Sequence, residues 1–177
     1  LFVTEKIQKV LAGLEKEIVP AVVMEGDARA LALENQSVEG IIFSPPYSFA
    51  IDYLANDSFH LNFMGVNTKT LRERMIGLRG RNLLERYQSY QEDMGKVLSE
   101  CARVLRSGRF CTIVVGTNSN QLAKVMGVSS DEVMGLHEIL IDMSAAKGFK
   151  TLKVIGRPIV GMSNTMRREY ILILQKT

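Results

Sequence analysis

The stretch VEGIIFSPPYSF, residues 38–49, decides how the rest of the chain is read. Residues 38–43 are a short, mostly apolar run of the kind that makes a buried strand. The run stops at Ser44. Pro45 and Pro46 each lack a backbone donor and fix φ, so no strand ladder continues through them. A chain that needed only a corner would use Asn-Gly or Asp-Gly at lower conformational cost. A hydroxyl, two rigid residues and an aromatic ring at a strand end are a device for presenting groups.

Upstream, residues 3–18 place Ile7, Val10, Leu11, Leu14 and Ile18 on one helical face, with Thr4 as a cap and Pro20 beyond the end. AVVME (21–25) reads as a short strand, GDAR (26–29) as a turn, and 29–36 as a short helix or turn. Downstream, residues 48–86 have no clean period and read as an irregular excursion with short helices, a length of connection usually tied to function. A helix is predicted from Tyr87, with Met94, Val97, Leu98, Cys101, Val104 and Leu105 as its apolar stripe and Gly108 as its stop.

RFCTIVVG (109–116) is apolar on both faces, as central parallel strands are. Residues 129–149 predict a second helix, capped by Ser129 and Glu132 and ended by Gly148. KTLKVIGR (150–157) and EYILILQK (169–176) predict a closing hairpin that adds an antiparallel edge. Helices alternating with apolar strands give an α/β fold, in a single domain over 1–177, with a mainly parallel sheet.

The 177 residues suffice for one sizeable core, and 46% hydrophobic against 23% charged residues fits an ordinary globular chain. No apolar run is long enough to cross a bilayer. Two cysteines without metal-ligand spacing, and only two histidines, indicate a cytoplasmic chain with reduced packing thiols and no metal site. The net charge of +3 is mild, but Lys69, Arg72, Arg74, Arg79, Arg81 and Arg86 cluster against only Glu73 and Glu85. That excess suits a phosphate backbone, with Arg72, Arg74, Arg79 and Arg81 as nucleic-acid contacts. A solvated loop and helix face would carry the same charges.

In sheets of this kind ligands sit outside the carboxyl ends of the strands, where Asp27 and Ser44–Tyr47 both fall. A strand followed by SPPY, within GDARALALENQSVEGIIFSPPYSFAIDY (26–53), resembles the DNA N4-cytosine and N6-adenine amino-methyltransferases. ECARVLRSGRFCTIVVG and RREYILILQK are similar to later segments of that family. The resemblance implies a Rossmann-like methyltransferase fold using S-adenosyl-L-methionine (AdoMet), acting on DNA as restriction-modification methylases do. It implies cofactor contacts at Asp27, Ala28 and Phe43, with Asp27 on the adenine amino group, and catalytic roles for Ser44, Pro45, Pro46 and Tyr47. Ser rather than Asp in the first motif position favours cytosine over adenine.

The chemistry explains the motif. An exocyclic amine delocalises its lone pair into the ring and is a poor nucleophile. Acceptors for its two N–H groups, Ser44 Oγ and the Pro45 carbonyl, would localise that lone pair, and the prolines would hold them in place. Tyr47 would stack on the flipped base. Flipping costs a few kcal/mol and a stacked base recovers roughly 1–3 kcal/mol.

The family's glycine-rich loop, Phe-x-Gly-x-Gly, is missing, as is its ribose-binding acidic residue. GLRGR (77–81) has no preceding strand, and VVGTNSN (114–120) lacks the second glycine. The expectation is a carboxyl-terminal portion of a larger methyltransferase without its first two strands. The missing part would be an amino-terminal half, a segment after Thr177 in a circularly permuted arrangement, or a homo-oligomer partner. Two other readings stand beside it: an RNA guanosine-N2 methyltransferase, and a non-catalytic nucleic-acid-binding subunit. The chain alone is expected to bind AdoMet weakly or not at all, and stoichiometric heat on calorimetric titration would refute this.

Overall fold

The computed structural model of the chain describes residues 21–47, 49, 52–159 and 168–177. Among them, four strands form one mixed sheet: β1 (Val38–Phe43), β2 (Leu105–Gly116), β3 (Phe149–Pro158) and β4 (Arg168–Lys176), in the order β1-β2-β4-β3. β1 and β2 are parallel, with Ile41 opposite Cys111 and Phe43 opposite Ile113. β4 is antiparallel to both β2 and β3. It follows that β3 runs in the same sense as β1 and β2. Parallel strands joined through helices make this a Rossmann-like α/β sheet.

The closing pair is antiparallel, as the sequence predicts, but the reversed strand is interior and β3 takes the edge. Burial accounts for this: Leu172 and Leu174 of β4 are wholly buried, whereas Leu152, Val154 and Ile155 of β3 are exposed. The connection at 160–167 lies outside the described residues, as do the helix expected over 3–18 and its Thr4 cap.

Six helices occur among the described residues: α1 (Tyr53–Asn56), α2 (Ser58–Phe63), α3 (Thr68–Arg74), α4 (Leu83–Val104), α5 (Ser119–Met126) and α6 (Leu136–Ala145). The three shortest lie in the irregular excursion. α4 starts before Tyr87 because Asn82 caps it: the Asn82 side chain accepts from the Glu85 N–H at 2.9 Å and donates to the Glu85 carboxylate at 3.0 Å. It also ends before Gly108. The β1–β2 register jumps from Val38↔Leu105 to Gly40↔Phe110, and Gly108, at φ 76°, lies in the extra residues of β2. Its left-handed backbone serves a bulge and not a helix end.

Two further expectations change. AVVME is not a strand: Val22, Val23 and Met24 are exposed and belong to no ladder. An extended segment becomes a strand only beside a partner for its N–H and C=O groups, and among the described residues none lies alongside. The helix expected over 129–149 is only α6. Ser129 and Glu132 close an isolated turn, and the helix begins after Gly135, whose N–H donates to the Glu138 carboxylate at 2.6 Å. A Cβ at Gly135 would lie 2.5 Å from the His137 ring, so any other residue here would have to displace that ring. α5, capped by Asn118 and ended by Gly127 at φ 68°, had no counterpart in the sequence reading.

α4 and α6 pack on one face of the sheet. Leu98 and Cys101 of α4 and Leu140 of α6 join Cys111, Ile113, Leu172 and Leu174 in a single core. Leu98→Ala should destabilise the chain by about 2–5 kcal/mol through the cavity it leaves. Ile42→Ala, at a side chain 80% exposed, should change stability by less than about 0.5 kcal/mol. Urea unfolding of both variants checks the contrast.

Candidate active site

β1 and β2 end side by side, and the SPPY segment follows directly from β1. Ser44 is exposed, and its hydroxyl donates to the Val114 carbonyl of β2 at 3.0 Å. With its proton committed to a backbone oxygen, Oγ has only acceptor capacity left to offer outward. Pro45 is buried. The Pro46 carbonyl accepts from the hydroxyl of Tyr90, a fully buried residue of α4, at 3.3 Å. The Tyr47 N–H donates to the Tyr53 hydroxyl at 3.2 Å. Strand, helix and excursion all grip this segment.

Tyr47 is half-buried, and its hydroxyl donates to Glu169, the second residue of β4. Glu169 is 5% exposed and also pairs with Arg157 of β3, directly opposite it in the ladder. The Tyr47 hydrogen bond is the main cause that draws the Glu169 carboxyl below its usual range, against the opposing effect of burial, and Arg157 adds to it. Burial, then the carboxylate, push the Tyr47 phenol above its usual value. The sequence reading missed Glu169 and Arg157; the available signal was a carboxylate at the head of an otherwise apolar strand.

Asp27 sits in the expected turn, where Ala30 N–H donates to its carbonyl at 2.9 Å. Its carboxylate accepts from the Arg29 backbone N–H at 2.9 Å and from the Arg29 guanidinium at 2.8 and 2.9 Å. The Arg29 side chain is the main reason its carboxyl falls to about 2. Ala28 is exposed in the same turn, and Phe43 is half-buried against the core. The turn is anchored to α4: Arg29 reaches Asp93 at 3.1 Å, and Glu100 accepts from the Leu31 N–H at 2.7 Å. Among the described residues no hydrogen bond joins this turn to Ser44 or Tyr47.

The four arginines separate into pairs. Arg72 binds Asp52 at 2.6 Å, and Arg79 binds Asp93 at 2.7 Å. Arg74 and Arg81 have exposed side chains that form no ion pair among the described residues. Arg72 and Lys69 line a cleft of about 440 Å³ between the short helices, and α2 beside it exposes Phe59 and Phe63. Asp52, besides holding Arg72, caps α1 by accepting from the Ala55 N–H at 3.0 Å.

His137, given no role from sequence, stacks on Tyr170 at 3.6 Å within a polar cleft of about 660 Å³. Burial lowers its pKa. Cys101 and Cys111 are free and buried. No cluster among the described residues could hold a metal ion, and no described helix is long and apolar enough to cross a membrane.

No family model matches the chain, and no curated protein matches it. Solved structures do. A candidate DNA modification methylase from Thermus thermophilus, complexed with S-adenosyl-L-methionine, is similar at 21% identity over 85% of this chain and 51% of its own, with a TM-score of 0.48. A SAM-dependent methyltransferase from Methanosarcina mazei matches at 10% identity over 85% and 65%, TM-score 0.48. A 16S ribosomal RNA adenine methyltransferase from Catenulisporales acidiphilia matches at 14% identity over 81% and 52%, TM-score 0.37. The chain spans about half the length of the first of these. Likenesses this distant do not carry an activity across.

The Asp27–Arg29 contact makes a pH prediction. A carboxyl depressed from 3.8 to about 2 on folding contributes stability above pH 3.8, which is lost as pH falls through 2. An NMR titration should show the Asp27 carboxyl ionising near 2, and Arg29→Gln should return it towards 3.8.

Proposed function

We propose that this chain carries the catalytic part of an AdoMet-dependent methyltransferase acting on an exocyclic amino group of a DNA base, with cytosine N4 preferred over adenine N6. The observation that carries the reading is the hydrogen bond from Ser44 to the Val114 carbonyl. It turns Oγ into an acceptor at an exposed position beyond the end of β1, which is what an aromatic amine needs to become a nucleophile.

Each group then has a stated task. Ser44 Oγ accepts one amine N–H, and the Pro45 carbonyl accepts the other. The Tyr47 ring supplies a stacking face for the flipped base. Tyr90 and Tyr53 hold the Pro46 carbonyl and the Tyr47 N–H, so the acceptors are set before substrate arrives, as transition-state stabilisation requires. Arg74 and Arg81, with the cleft beside Arg72, offer contacts to phosphate, and the exposed rings of Phe59 and Phe63 offer stacking to unpaired bases.

AdoMet would supply an electrophilic methyl group on its sulfonium. Of the residues assigned to it, Asp27 is already engaged: Arg29 donates four hydrogen bonds to its carboxylate, which has about four acceptor sites, although the side chain is 42% exposed. An adenine N–H would have to share one of these oxygens with Arg29 or displace one of its bonds. The glycine-rich loop for the methionine end has no counterpart in this sequence.

At AdoMet concentrations high enough to offset weak binding, transfer of labelled methyl should favour duplex DNA containing cytosine over duplexes with adenine alone and over structured RNA. Ser44→Ala should slow transfer by about 100-fold, comparable to removing one preorganised polar contact to a transition state. Because Ser44 is exposed, folding should not change. Transfer to RNA alone would move the reading to an RNA enzyme; wild-type transfer by Ser44→Ala would end it.

A further inference from the structure

We propose that Glu169 is a positioning residue for Tyr47: its carboxylate accepts the phenol hydrogen and fixes the plane of the ring on which a target base stacks. The inference rests on the functional reading above and adds to it the residue that orients the stacking face.

Three observations support it. First, Glu169 is 5% exposed at the head of β4, and a carboxylate so far removed from water needs a purpose to offset its desolvation. Second, its two oxygens are divided. One accepts from Tyr47 and the other from Arg157, so Arg157 supplies the counter-charge without displacing the phenol. Third, the ladder fixes its location: Glu169 lies opposite Gly116 of β2 and Arg157 of β3. Gly116 has no side chain to stand between the carboxylate and the loop that follows β1.

The backbone contacts of the segment are distinct from those of the ring, whose hydroxyl meets Glu169 and lies beside Ser44. The Tyr47 N–H is held by Tyr53 and the Pro46 carbonyl by Tyr90, and neither contact determines how the side chain turns. Without Glu169 the backbone would stay in place and the ring would rotate. A ring held at its hydroxyl edge can turn a face to a stacked base, and Tyr47 is half-buried and not wholly enclosed. Aromatic stacking of a base is sequence-tolerant, so this contact would set affinity, and Ser44 the choice of amine.

Two readouts on the full chain test the proposal. The protein has five tyrosines and no tryptophan, so tyrosine emission is directly visible, and a phenol bonded to a carboxylate is quenched. Glu169→Gln should raise emission, and the same change in a Tyr47→Phe background should leave it unaltered. Binding is then measured to a short duplex with one mismatched cytosine, which flips readily. Glu169→Leu, which leaves no acceptor for the phenol, and Tyr47→Phe should each weaken it about 10-fold, and the double variant no further, because both break one contact.

Unchanged emission in Glu169→Gln would show that the contact does not exist in solution and overturn the proposal. Changed emission with wild-type binding would show a contact that braces the hairpin without orienting a base, and would overturn it too. If the wild type fails to bind the duplex at all, the functional reading fails, and this inference with it.

Discussion

β4 runs against its neighbours, and the site follows from that reversal. In a wholly parallel sheet each strand would deliver only its last residues to the binding edge. Here β1 and β2 deliver their ends, Phe43 and Gly116, and β4 delivers its beginning. Arg168, Glu169 and Tyr170 therefore arrive where Ser44 and Tyr47 emerge. Because successive side chains of a strand point to opposite faces, one turns Glu169 towards Tyr47 and the next turns Tyr170 towards His137 on α6. One strand thus furnishes an anchor for the SPPY segment and a wall for the polar cleft behind it.

A second constraint works from the helical side. Asp93 lies on the buried stripe of α4 with no exposure, and its Oδ1 receives both Arg29 and Arg79. The two guanidiniums come from the GDAR turn and from the loop before α4, so one carboxylate ties two irregular segments to the core helix. A buried charge is tolerable only with partners of this kind. The arrangement is not fully satisfied: Asp93 Oδ2 and Arg79 Nε are buried without a partner among the described residues. Further along α4, Arg103 reaches the Leu31 and Leu33 carbonyls and the Asn35 side chain, laying 31–35 against the helix and delivering the chain to β1.

Much of this was legible in the sequence, and where it was not the cause is physical. The apolar strands β1, β2 and β4 were readable because burial imposes a pattern on them. So were the turn at Asp27 and the irregular course of the described part of 48–86. The edge position of β3 was not, since strand order depends on which faces compete for burial and not on any one strand. The residues 21–25 show the converse: a strand-like composition without a partner. Ser44 and Tyr47 stood out as candidates through the prolines between them. Glu169, Arg157, Tyr90 and Arg29 did not, because each acts on a group remote in sequence or across a strand register, or looks locally like ordinary surface charge.

The hydrogen bond from Ser44 to Val114 also bears on how such a motif evolves. A serine has a proton to give the strand carbonyl and still keeps lone pairs for substrate. An ionised aspartate has no proton, so at position 44 it would set a carboxylate against a carbonyl oxygen. The resemblance links serine with cytosine and aspartate with adenine in this position. On this scaffold the two are not one substitution apart: the end of β2 would have to turn its carbonyl away, or the incoming acid would have to stay protonated. The backbone of a neighbouring strand thereby becomes a lock on the side chain, and an exchange of serine for aspartate would require two elements to move together.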